Sequence, residues 1–229
     1  MKIACLHTAE SNIPIYEDAA RELGLPAGAL HHHVRADLLL TAERLGGLTA
    51  EISAETAGVL LHLAREADVV VLNCSTLGPA ASLAADRSAV PVIRADGMLA
   101  ERAVKAGGKV IVLCTVETTI APTTRLFEEA AKATDADIDV RLIEGAWALF
   151  RADEQDAYLA LIAEAVDAAQ RAGAKMVAFA QASMTGAARL LHGSATQPMT
   201  GPTVALEAAI KAAAATSKSG QLSGEPSIP

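Results

Sequence analysis

Short apolar runs alternate along the chain with longer stretches of helical spacing. "KIACLH" (2–7) and "VVVLNC" (69–74) are apolar and end in polar residues, the pattern of strands buried on both faces of a parallel sheet. "IPIYEDAARELG" (13–24), closed by Gly24, and "TAGVLLHLAREA" (56–67) carry helical spacing. The second half continues with a strand at "KVIVLC" (109–114), a helix at "PTTRLFEEAAKAT" (122–134) and a strand at "DIDVRLIEG" (137–145). It ends with a helix at 155–173, a strand at "KMVAFAQ" (175–181) and a helix at 202–215. The polar, Gly/Pro-rich stretch 217–229 is expected to be a disordered tail.

The two halves overlay without a gap when 107 is added to each residue number. Lys2 meets Lys109, Leu6 meets Leu113, Thr8 meets Thr115, Glu10 meets Glu117 and Ile13 meets Ile120. At the same offset Val70 meets Val177, Thr76 meets Ser183 and Ala80 meets Ala187. "HTAESN" thus lies over "CTVETT", and Cys74 lies over Gln181. The period is that of a whole small α/β domain rather than a solenoid unit. The expectation is an α/β protein of two similar parallel-sheet lobes related by a pseudo-twofold, with the active site in the cleft between them. The first lobe would comprise 1–96 plus about 205–216, and the second 97–204. Ligands of such sheets sit beyond the carboxyl ends of the strands. Those ends are His7–Asn12, Asn73–Gly78, Thr115–Thr119 and Gln181–Ser183.

Composition narrows the classes. The 229 residues are 52% hydrophobic and only 3% aromatic, which suits helices packed closely on sheets. A net charge of −8 and the lack of a basic stripe exclude a nucleic-acid partner. No run reaches the ~20 apolar residues needed to span a bilayer, and "MKIACLHT" reads as a first strand rather than a leader. Three cysteines without a CxxC do not build a disulfide framework. A cytoplasmic protein with free thiols is expected.

Cys74 follows apolar strand residues and precedes a Gly-Pro turn. At a strand-to-helix junction, N–H groups and the helix dipole favour a thiolate, which makes a good base or nucleophile; the plain alternative is a small buried cysteine. Asn73, Ser75, Thr76, Thr115, Thr118, Thr119 and Ser183 surround the expected cleft with polar groups, and turn N–H groups add to them. They could hold a carboxylate and stabilise an enediolate, or simply cap helices. Ser11 and Asn12 would hold the substrate's other polar group, although Asn12 could equally cap the helix near Pro14. His7 and His192 are candidate proton carriers, with a core role as the alternative. Within "HHH" at 31–33, His31 and His33 would share a strand face, but no further ligand accompanies them, so no metal is expected. Asp96 and Glu144 read as structural or solvated acids, and Met98, Met184, Trp147 and Phe150 as candidates for a side-chain pocket. Neither a GxGxxG nor a P-loop pattern occurs, so no cofactor is expected.

At "NCSTLGP", "CTVETTIAPTTRLFEE" and "AQASM" the sequence resembles the aspartate/glutamate/hydantoin racemase superfamily, over roughly residues 2–212. The resemblance implies a cofactor-independent isomerase acting on a small carboxylate, commonly as a homo-oligomer. It also implies one cysteine at a strand end of each lobe, on opposite faces of the substrate. Cys74 matches the first; the second falls on Gln181, whose amide does not exchange protons usefully near pH 7. Three readings follow. A second acid from Cys114, His7 or His192 would keep a racemase or epimerase. A single cysteine would serve a one-sided decarboxylase or isomerase of the arylmalonate decarboxylase type. Without turnover, the chain would be a carboxylate-binding protein, with Gln181 as a hydrogen-bond partner.

Overall fold

The computed structural model describes residues 1–191 and 197–222, with side chains through residue 216. Four parallel strands form the first sheet: β1 (Ile3–His7), β2 (Leu30–Val34), β3 (Val69–Asn73) and β4 (Val92–Arg94), in the order β2-β1-β3-β4. The second sheet contains β5 (Gly108–Cys114), β6 (Ala136–Leu142), β7 (Met176–Phe179) and β8 (Met199–Thr200), in the order β6-β5-β7-β8 and again parallel. Shifting the first set by 107 reproduces the second to within two residues at every strand end. The architecture is therefore α/β, two copies of one sheet plan.

The helices obey the same shift. They are α1 (Asn12–Glu22), α2 (Ala36–Arg44), α3 (Ala50–Leu63), α4 (Ala80–Ala85), α5 (Ala95–Val104), α6 (Ile120–Ala131), α7 (Ala146–Arg151), α8 (Gln155–Arg171) and α9 (Gly201–Leu222). A 3-10 segment at Glu117–Thr119 precedes α6, and another spans Ala182–Leu190. Gly24 closes α1 at φ 72, a conformation glycine adopts without steric cost.

Central strands carry the core. Every residue of β1 is buried, as are the first four of β3 and the last five of β5. Helices cover both faces of each sheet, which explains why the strands read as continuous apolar runs. The last helix of each half crosses to the other. Leu99, Ala100 and Ala103 of α5 pack with Val110 and Val112 of the second sheet, while Ala205, Leu206 and Ala209 of α9 pack with Ile3, Val69 and Val71 of the first. The two helices lie against each other and are tied by Arg102–Glu207 at 2.9 Å. On the other side of the junction, Asp18 of α1 pairs with Arg189 at 2.8 Å.

The expected tail at 217–229 needs one correction. The backbone of α9 continues to Leu222, since an Ala-rich helix propagates readily once formed; residues 223–229 lie outside the described residues. No helix among those described is long and apolar enough to cross a membrane.

Candidate active site

The carboxyl ends of β3 and β7 meet where α5 and α9 begin. Asn73, Cys74, Ser75, Ala95, Asp96 and Leu99 come from the first half of the chain, and Phe179, Ala180, Ala182, Gly201 and Pro202 from the second. These residues line a pocket of about 20 Å3, room for about one water.

Cys74 sits at this pocket, half-buried. Burial raises its thiol above the ordinary range. The Thr8 hydroxyl and the backbone N–H groups of Leu77 and Thr76 near the sulfur oppose that rise without overcoming it, and the Asp96 carboxylate adds to it. Burial thus outweighs the polar neighbours that would favour a thiolate. The residues after Cys74 form turns before α4, a helix of only six residues, so little macrodipole reaches the sulfur. Cys74 rests as a thiol.

Asn73 is placed by a chain of side chains running inward from the pocket. Its Nδ2 lies 3.2 Å from His7 Nδ1, His7 Nε2 lies 2.9 Å from His32 Nδ1, and His32 Nε2 lies 3.0 Å from Glu17 Oε1. With both rings neutral, each contact has one donor: Asn73 to His7, His7 to His32, His32 to Glu17. His7 is fully buried, and burial, helped by His32 and His33, pushes its pKa down to about 4. Both ring nitrogens are occupied, so His7 orients Asn73 rather than carrying protons to substrate. Asn73 also lines the pocket.

Asp96 was read from the sequence as structural or solvated, yet it borders Cys74. Arg94 holds it in a two-pronged pair, Nε–Oδ1 at 2.6 Å and Nη2–Oδ2 at 2.8 Å. Gly78 makes room for that guanidinium: a Cβ there would overlap Arg94 Nε.

In the second half, Gln181 stands at the position equivalent to Cys74. Its Oε1 accepts from the Thr115 N–H at 2.9 Å and the Thr115 hydroxyl at 3.3 Å, and its Nε2 donates to Thr119 Oγ1 at 3.0 Å. Thr119 passes its own proton to the Val116 carbonyl at 2.6 Å. Ser183 pairs with buried Tyr158 at 2.8 Å. Thr115, Thr119 and Ser183 are thus spent on bracing their own half, and Thr118 is exposed. Ser11 is exposed at the start of α1 and makes no capping bond, Asn12 is half-buried, and neither borders the Cys74 pocket. Thr76 has its backbone N–H near the sulfur, and Ser75 lines the pocket.

The proposed second acids are placed as follows. Cys114 is fully buried beside Thr119, Thr123 and Gln181, and burial raises its thiol pKa. His7 is occupied as described, and His192 lies outside the described residues. His31 and His33 point to solvent, whereas His32 faces inward.

The family model for Asp/Glu/hydantoin racemases matches residues 42–210, more than half of the chain. The chain belongs to the Asp/Glu/hydantoin racemase family. No curated protein matches by sequence. Among solved structures, allantoin racemase from Klebsiella pneumoniae is similar at TM-score 0.63 and 13% identity, with 94% of this chain and 88% of that chain covered. Aspartate racemase from Picrophilus torridus reaches 0.67 at 10% identity, covering 93% and 95%. Unliganded arylmalonate decarboxylase reaches 0.58 at 12% identity, covering 93% and 92%. At these identities the likeness establishes the fold, two-lobed as in those racemases.

Cys74 is at the pocket, and the equivalent position in the second half is filled by a braced amide. Sequence reasoning passed over Thr8 as a neighbour of the sulfur, although the overlay pairs it with Thr115. It also passed over the Arg94–Asp96 pair, whose signal was the charged dipeptide spacing in "IRADG" at a strand end.

Proposed function

We propose that the chain is a cofactor-independent enzyme in which Cys74 transfers a proton at the carbon α to the carboxylate of a small acid, from one face only. The observation that carries this is the pairing of a pocket thiol at Cys74 with Gln181 at the partner position, its carbonyl oxygen saturated by Thr115. Gln181 donates to Thr119, lies beside the Cys114 sulfur and cannot return a proton. Membership of a racemase family and the likeness to racemases support an isomerase.

A resting thiol at Cys74 favours a second, related use. A neutral thiol is the acid form, ready to protonate a carbanion left when a carboxylate departs as CO2, after which the thiolate recovers a proton from solvent. The likeness to arylmalonate decarboxylase is consistent with this reading. In both uses, N–H groups at Leu77 and Thr76 stabilise the transient thiolate. A two-sided racemase would require a second donor, and the full burial of Cys114 and His7 speaks for the one-faced reading among the described residues.

The deciding experiment incubates the protein in D2O with chiral amino acids, hydantoins and 2-substituted malonates. Deuterium gain at Cα with retained handedness, or CO2 release with stereospecific deuteration, fits one-faced transfer. Inversion would refute it. Neither exchange nor CO2 release, with a thermal shift on ligand addition, would mark a carboxylate binder instead. Cys74→Ser must remove all turnover.

A further inference from the structure

On the face of the first sheet covered by α1, three donors of a different chemistry converge. Cys5 and His7 are two apart in β1 and share that face, and His32 stands beside Cys5 in β2, its register partner. Cys5 Sγ, His7 and His32 ring nitrogens lie within 4.8 Å of one another. We propose that Cys5, His7 and His32 form a binding site for a thiophilic divalent cation of the zinc type. This site is independent of the reaction assigned to Cys74.

The donor set is one sulfur and two imidazoles, which selects zinc or cobalt over magnesium or calcium. Both rings already have their outer nitrogens fixed, His32 by Glu17 and His7 by Asn73, as metal-bound histidines require. The inner nitrogens, 2.9 Å apart, need to open to about 3.3 Å for tetrahedral bonds of about 2.0 Å. The sulfur must close on them by about 1 Å, a side-chain rotation. Three protein donors leave a fourth position, and the buried Tyr16 hydroxyl, which has no partner, interacts with Cys5 from α1. A water in the fourth position would satisfy that hydroxyl.

Binding has a defined proton balance. The Cys5 thiol releases one proton to solvent, and the proton on His7 Nε2 moves to Nδ1. Asn73 must then turn its amide so that Oδ1 accepts from His7.

The test uses the untagged full chain, stripped with chelator and titrated with Co2+. The expected result is one Co2+ per chain, a thiolate-to-cobalt absorption band, displacement by Zn2+ and release of about one proton per metal near pH 7.5. Cys5→Ser should abolish the band, His32→Gln should weaken binding at least 10-fold, and Cys74→Ser should leave both unchanged. If Cys5→Ser does not fold, as judged by circular dichroism, half-buried His32→Gln carries the test. Absence of the band in the wild type, its survival in Cys5→Ser, or unweakened binding in His32→Gln would overturn the proposal.

Discussion

Gln181 accepts both the N–H and the hydroxyl of Thr115, 66 residues earlier, while Cys74 has the hydroxyl of Thr8, also 66 residues earlier, near its sulfur. The duplication therefore extends from strand order to individual contacts. One half uses this bracket to hold a thiol at the pocket; the other uses it to hold an amide. Thr115 is buried, so truncating its partner leaves an N–H without an acceptor. Gln181→Ala should cost about 1–3 kcal/mol, read as a lower midpoint in urea unfolding with unchanged slope.

Restoring the missing thiol tests the one-faced reading directly. Gln181→Cys places a sulfur at the position equivalent to Cys74. With a substrate whose Cα–H the wild type exchanges with retained handedness, the variant should give inversion, followed by polarimetry. Continued retention at the wild-type rate would show that this position does not reach the substrate.

The raised Cys74 thiol predicts a pH profile. At pH 7 the sulfur is protonated, so alkylation by iodoacetamide should be slower than for a free cysteine. The rate should climb with a midpoint above the ordinary thiol range. The linkage has the matching sign: this group's contribution to stability is full below the unfolded thiol's pKa and is lost as pH rises through the folded value. A midpoint below that of a free thiol would restore the dipole-stabilised thiolate. Because Cys5 and Cys114 are fully buried, mass spectrometry of peptides assigns the site.

The fold was legible because its signals are periodic. Runs such as "VVVLNC" cannot be placed other than in a strand covered on both faces, and a gapless repeat fixes the sheet order twice over. Cys74 and Asn73 were legible for the same reason, since strand ends define the cleft. Side-chain commitments were not. Nothing in the letters shows that Thr115 and Thr119 spend their bonds on Gln181, because hydroxyls bind a neighbour or a ligand with the same donor and acceptor. The shared outward face of His31 and His33 was legible from strand parity, whereas the contacts His32 makes on the other face depend on the register with β1, which the letters do not show. Arg94 and Asp96 look like ordinary surface charges until β4 is seen to end beside β3.

Gly78 lies under the Arg94 guanidinium, with no space for a Cβ. Gly78→Ala should push Arg94 away and leave Asp96, only 12% exposed at its side chain, without its cation. A loss of about 1–3 kcal/mol is expected for the unpaired group, measurable by thermal unfolding. Adding Arg94→Met to Gly78→Ala should cost little more, since the pair is already broken. Full additivity would separate the glycine from the ion pair.

Thr8 is the residue through which the first lobe sets the reactivity of Cys74. Its hydroxyl lies near the sulfur and opposes the rise of the thiol pKa, and Thr8 itself is buried. Thr8→Val keeps the shape and removes the hydroxyl. The thiolate loses one donor, so the alkylation midpoint should rise and turnover should fall about 10-fold, equivalent to about 1.4 kcal/mol. Thr8→Ser returns the hydroxyl and should recover both. A structural role alone would lower the melting temperature of Thr8→Val without moving the pH midpoint, so the two measurements taken together distinguish tuning of the sulfur from packing beneath it.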